Sequence, residues 1–226
     1  MSFSRVLWSC FCATLAIAQT SLTQSSPPST SSSRHVSKAA SSLNSPDPGS
    51  LGAGSYRNTT FGFTCKIPAG WVLRTDEMNT TNREEGKDSA NKVADAAKAG
   101  RVLLAAFSRP PEARAEDVNA SILIALESVD KYPGLTEAAQ YFGPVTEVAT
   151  AKGFAIDEEP YELEIGGKTL VRGDYEKDVG TRVMHQSTLV MLARNYAVSF
   201  TFIAGTEDDV EDLVEGLTFS ISKSAK

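Results

Sequence analysis

Apolar and polar residues alternate most clearly between Tyr56 and Trp71, where Phe61, Phe63, Cys65 and Ile67 are separated by Gly62, Thr64 and Lys66. A period of two puts these four side chains on one face, so the segment predicts a half-buried strand. Pro68 cannot continue a ladder and Gly70 permits a turn. Trp71 is therefore expected to fold back and bury its indole against the strand's apolar edge.

The rest of the chain follows in order. Trp71–Leu73 predicts a short strand. Thr75–Gly86 is polar and reads as irregular. Asp88–Lys98, rich in Ala and Lys with Val93, Ala96 and Ala97 at helical spacing, predicts a surface helix ended by Gly100. Arg101–Ser108 fits a central strand, and Arg109-Pro110-Pro111 opens a loop to about Asp117. Val118–Val129 is apolar at consecutive positions, as in a strand covered on both faces. Thr136–Lys152 is helical in composition, but Gly143-Pro144 interrupts it. A kink or two short helices is expected there, with Pro144 in a first turn.

The C-terminal part predicts a meander. Tyr161, Leu163 and Ile165 alternate with Glu162 and Glu164. Gly166-Gly167 signals a two-residue hairpin, and Val179-Gly180 and Arg194-Asn195 signal further turns. Tyr196, Val198, Phe200 and Phe202 line one face of the last long strand. Thr206 then caps a helix whose Val210, Leu213, Val214 and Leu217 form an i, i+3, i+4, i+7 stripe. Strands and helix, then a meander, then a helix predict an α+β domain: a central antiparallel sheet covered by helices.

Upstream, Met1–Ala18 carries Arg5, an apolar run from Val6 to Ile17 and the small-x-small pattern Ala16-Ile17-Ala18. This reads as a secretory signal peptide, which implies an extracytoplasmic, periplasmic or secreted, location. Leu7-Trp8-Ser9-Cys10 resembles a lipoprotein box but comes before any apolar region, so lipidation at Cys10 is the minor alternative. Residues 19–54, rich in Ser, Pro and Thr, read as a disordered tether and residues 55–222 as a single domain.

Composition narrows the chemistry. The formal net charge is -6, from 22 basic and 28 acidic residues, and becomes -7 (21 against 28) once Arg5 leaves. That balance argues against a nucleic-acid or anionic-membrane surface. No segment after the leader is apolar enough to span a bilayer. Cys10 and Cys12 leave with the leader, so Cys65 has no disulfide partner. Its place among Phe61, Phe63 and Ile67 reads as a buried, inert thiol.

Tyr56-x-Asn58, Phe61-Gly62-Phe63 and Pro68-x-Gly70-Trp71 resemble the opening of PsbP-like domains, exported bacterial relatives of the PsbP and Ran-binding Mog-type fold. Ile165-Gly166-Gly167-Lys168, Arg172-x-Asp174-Tyr175 and Asn195-Tyr196-Ala197-Val198-Ser199-Phe200 fit the same pattern. The likeness covers roughly Tyr56–Ser220. It implies an α/β/α sandwich with an antiparallel sheet between helices, and an accessory or binding role. No metal-related motif accompanies it, and fold does not imply function, so a photosystem role is not carried over.

Candidate chemistry is sparse. Asp174, Glu176 and Asp178 recur at alternate positions, which suits cation binding, but the sixth-position Gly and closing Glu of a calcium loop are missing. They read as a solvated edge, as does the cluster Asp157, Glu158, Glu159, Glu162 and Glu164. His185 stands without HExxH, GxSxG or a paired Cys/His set and reads as structural. Arg172 reads first as a partner of Glu176 or a cross-strand acid, and second as lining a ligand groove. Arg172, Asp174, Tyr175 and His185 are the candidate ligand-binding residues; no catalytic residue, metal or cofactor is expected. The triplets at Asn58, Asn79 and Asn119 read as chance matches to the glycosylation motif.

Two classes of function fit. One is an exported, non-catalytic module that binds a protein or small ligand in an envelope assembly. The other is an enzyme, hydrolase-like, with a site dispersed in sequence. N-terminal sequencing of the mature protein is expected to begin near Gln19; intact Met1 in a cytoplasmic fraction overturns the leader.

Overall fold

The computed structural model describes residues 46–85, 100–113, 115 and 117–220. The expected leader, most of the tether and the helix expected over Asp88–Lys98 lie outside the described residues. The strands are β1 (Ser50–Gly52), β2 (Ser55–Asn58), β3 (Phe63–Lys66), β4 (Val72–Leu73), β5 (Arg101–Phe107), β6 (Ser121–Ser128), β7 (Ala155–Ile165), β8 (Lys168–Val179), β9 (Arg182–Ala193), β10 (Tyr196–Ala204) and β11 (Leu217–Phe219). The helices are α1 (Thr75–Glu85), α2 (Phe142–Ala151) and α3 (Glu207–Glu215), with 3-10 turns at Val129–Lys131 and Ala138–Tyr141.

The strands form two antiparallel sheets, β1-β2-β3-β11 and β4-β5-β6-β10-β9-β8-β7. Loop chemistry sets the meander. Gly166 and Gly167 have φ of 55° and 75°, Arg194 and Asn195 of 52° and 65°, and two consecutive positive φ values make the tight turn that matches strand twist. These turns fix the register, so Val198, Phe200 and Phe202 fall opposite Met191, Leu189 and Ser187.

The α+β class holds, and the architecture contains a second sheet that the sequence reading did not include. The opening alternation does not join the large sheet: β3 pairs with β2 and β11, and Phe63 and Cys65 pack face to face on the large sheet. A second sheet thus shares one face with α3, whose Val210, Leu213 and Val214 are buried in the same core. The opposite face, carrying Val171, Val190 and Ala197, is packed by Tyr141 and Phe142 from the start of α2. Gly173 is required beneath that helix, since an added Cβ would lie 2.6 Å from the Phe142 ring. Cys65 is fully buried, and burial pushes its thiol up to about 12. The thiolate is the reactive form, so this cysteine is inert in the folded chain.

Three further expectations are corrected. Thr75–Glu85 is helical, not irregular. Asp76 and Glu77 sit favourably at its positive end. Its anchors are polar: Thr75 Oγ1 accepts from the Ala105 N–H, and the Asn79 amide both donates to and accepts from the Val102 main chain. Val102 needs this partner because β5 slips its register on β6 there. In β6, Ile122, Ile124 and Leu126 are buried, while Leu123 and Ala125 between them are half-buried, so one face dominates. Finally, Ser50–Gly52 pairs with β2 although its composition reads as tether. The cause is a set of polar clamps upstream. The buried Asn58 amide donates to the Asp47 carbonyl, Tyr56 OH to the Pro48 carbonyl, and Arg101 to the Pro46 carbonyl.

The two short helices around Gly143-Pro144 do form, with Pro144 in the first turn of α2. Their entry is held by Glu127, whose carboxylate accepts from Tyr132 OH, Tyr141 OH and Lys131 Nζ. Burial pushes this carboxyl up, but the two tyrosine hydrogen bonds and the Lys131 charge outweigh it and leave it below the usual range. A depressed carboxyl contributes stability above its unfolded pKa, about 4.3, and loses it as pH falls through the folded value. Glu127→Gln is therefore expected to cost about 1–3 kcal/mol at pH 7. Urea melts should show the gap to the parent closing below about pH 4; a gap that does not change with pH overturns this assignment.

Candidate functional site

A cleft of about 680 Å³ opens between the outer strand of the small sheet and the short outer strand of the large one. Its apolar lining includes Leu51 of β1, Tyr56 of β2, Val72 and Leu73 of β4, and Leu103 of β5. Arg74, Asp76 and Asn79 of the β4–α1 corner and Arg101 of β5 form the polar wall. A smaller depression of about 260 Å³ adjoins it, lined by Ile67, Pro68, Trp71 and the same two leucines. Leu51 and Leu73 are 53% and 42% exposed, which is unusual for two large apolar side chains flanking one concavity.

The local sequence explains this shape. Ala53 and Gly54, both with positive φ, turn β1 back on β2 and leave β1 as an outer strand. Pro68 and Gly70 end β3 and carry the chain across to β4, which pairs only with β5. The turn expected at Pro68-x-Gly70 is present, but the expected burial of Trp71 is corrected. The indole is only partly buried against the core and forms a wall of the smaller depression. Strand β4 starts at the very next residue, Val72, so the chain leaves the core edge at once and the ring keeps one side on the depression.

The residues singled out from sequence lie elsewhere. Arg172, Asp174 and His185 share the α3-facing side of the large sheet, whereas Tyr175 points to the opposite side and its hydroxyl hydrogen-bonds Thr146 of α2 at 2.9 Å. Arg172, 9% exposed, donates from Nε to both Asp174 oxygens at 3.0 Å and pairs through its second nitrogen with Glu211 of α3. Arg172 is thus ion-paired, as first read, but its partners are Asp174 and Glu211, not Glu176. Side chains two apart on a strand share a face, which makes Asp174 available; Glu211 comes from a helix 39 positions away. The guanidinium also sits 6.0 Å from the Tyr161 ring, whose hydroxyl donates to Asp174. Burial alone lowers the guanidinium's pKa, but Glu211 and Asp174 outweigh it and leave it raised.

Asp174 is therefore not available to gather a cation with Glu176 and Asp178, and no cluster of three metal-ligating side chains occurs among the described residues. His185 Nδ1 stands 3.9 Å from Glu207 at the start of α3. All three glycosylation-triplet asparagines spend their amides on main chain: Asn58 on Asp47 and Phe61, Asn79 on Val102, and Asn119 on Arg109. The cleft itself was missed from sequence. Its only signal was Leu51, a lone large apolar residue in a Ser-, Pro- and Gly-rich stretch.

No protein-family model matches the chain, and no curated protein matches it. Solved structures similar to it include cyanobacterial PsbP from Synechocystis sp. PCC 6803, 18% identical over 76% of this chain and 96% of that one, with a TM-score of 0.44. Mog1p, a Ran-binding protein of Saccharomyces cerevisiae, is 13% identical over 70% of this chain and 80% of its own, with a TM-score of 0.35. LpqN of Mycobacterium tuberculosis, described as involved in cell envelope biogenesis, is 12% identical over 70% and 83%, with a TM-score of 0.34. Among the described residues no helix is long and apolar enough to cross a membrane.

The Arg172 network makes a stability prediction. Removing one member of a buried ion pair leaves the other uncompensated, at a cost of about 3–5 kcal/mol. Arg172→Ala is expected to lose about that much in thermal or urea unfolding, while Arg172→Leu combined with Asp174→Leu recovers most of it. A small effect of Arg172→Ala shows that water replaces the partner and that the network is peripheral.

Proposed function

We propose that the protein is an exported, non-catalytic binding module that holds a protein or small ligand of an envelope assembly in the cleft flanked by Leu51 and Leu73. The observation that carries this reading is the pairing of two exposed leucines with a half-open tryptophan around one concavity. Concave sites lined by apolar groups with a few polar side chains are where ligands bind. Leaving such surface in water has a steady cost of about 25 cal/mol per Å², which an occupant relieves.

The polar residues elsewhere support the same placement. Arg172 spends its charge on Asp174 and Glu211, and Tyr175 faces the other side of the sheet. The reading of Met1–Ala18 as a secretory leader supports an extracytoplasmic site of action.

Substituting the apolar lining of the cleft and of the depression that adjoins it tests this. Leu73→Asp and Trp71→Ala are expected to melt within about 1–2 kcal/mol of the parent, because each removes only partly buried surface. Each is expected to abolish the shift in native mass that the parent shows after incubation with an envelope extract. A parent that carries nothing from the extract, or a purified domain that turns over generic ester or phosphoester substrates, overturns the reading.

A further inference from the structure

The main chain around the cleft specifies the occupant more closely, on the reading that the cleft is the binding site. In a two-residue hairpin the residues flanking the loop exchange hydrogen bonds, and the next pair outward does not. Gly52 and Ser55 flank the Ala53-Gly54 loop, so Leu51, opposite Tyr56, turns its N–H and C=O away from β2. On the other rim, the Arg74 N–H donates to the Ala105 carbonyl. Alternation along β4 then turns the N–H and C=O of Leu73, opposite Ala106, away from β5. Each rim of the cleft thus presents one outward donor–acceptor pair beside an exposed isobutyl group.

Charge adds a second constraint. Arg74 is matched by Glu77 and Glu112. Arg101 lines the same cleft and donates to the Pro46 carbonyl, and among the described residues it forms no ion pair with a carboxylate.

We propose that the cleft captures an extended peptide segment that adds to the open edge of β1, with apolar side chains at alternate positions packed on Leu51, Leu73 and Trp71, and a carboxylate of the segment against Arg101. Main-chain donors and acceptors in register are what a strand supplies, and alternate side chains then read the floor.

The test is to pan a displayed random dodecapeptide library against the full chain and measure the affinity of the enriched peptides. Alternating apolar residues flanked by Asp or Glu are expected. Methylating alternate main-chain amides of an enriched peptide should weaken binding at least tenfold, with the protein untouched. Leu51→Pro should do the same while melting like the parent, because the N–H it removes faces outward and an edge strand accepts such a proline. Arg101→Gln should erase the preference for an acidic residue. No enrichment above background, or enriched peptides indifferent to both methylation and Leu51→Pro, overturns the proposal. A small molecule retained in the cleft by native mass spectrometry, with no peptide enriched, overturns the peptide and leaves the cleft standing; loss of both removes the two together.

Discussion

The ring of Phe63 meets that of Phe200 edge-on at 4.9 Å, and this contact joins the two sheets. Phe219 packs on both rings, at 6.2 and 6.1 Å, and Tyr56 tilts onto Phe63 at 5.9 Å. The four aromatics come from β3, β10, β11 and β2, so the small sheet exists to deliver three of them onto the large one. Edge-on pairs contribute about 0.5–1.5 kcal/mol beyond the area they bury. Their larger effect is geometric: they fix how far β3 stands from β10, and so where β1 and β4 end and how wide the gap between them is.

That gap differs from the other sheet margins. The long outer strand β7 carries Asp157, Glu158, Glu159, Glu162 and Glu164, contains Pro160 and slips register twice on β8. Charge, proline and irregularity are the usual means of keeping an edge from pairing. The margin of β11 is covered by the β7–β8 turn, where a Cβ on Gly166 would lie 3.2 Å from the Phe219 carbonyl. Beyond β4, the margin of β5 is closed by Thr75 and Asn79. Beside these protected margins, β1 and β4 carry leucine where the others carry charge or cover.

The sequence made the second half of the fold legible because its signals are local. Gly166-Gly167 and Arg194-Asn195 state their own turns, Thr206 accepts from the Asp209 N–H as an N-cap should, and Val210, Leu213 and Val214 are buried at helical spacing. The first half was hidden because its signals are tertiary. Helix α1 has no apolar stripe to read, since it docks through Thr75 and Asn79 onto β5 main chain that lies beyond the end of β4 or at the slipped register. Strand β1 is composed like a tether and is ordered by Asn58 and Tyr56 from β2. The alternation at Phe61–Ile67 was read as a strand, but period two cannot say which sheet a strand joins. At the site, the ion pairing of Arg172 was legible, whereas Glu211 as its partner was not, because a helix brings it from far along the chain.

The small sheet sets an order of assembly. Its strand β3 is completed by β11, and Thr218 reaches the Thr64 carbonyl across 154 positions. Closing so long a loop has an entropic cost that neighbouring hairpins avoid, and folds dominated by distant pairings form slowly. The β7–β10 meander can form from its own turns, but the aromatic cluster is complete only when Leu217–Phe219 arrives. Until then Phe63 and Phe200 lack the Phe219 ring, and β3 lacks the strand that completes its second side.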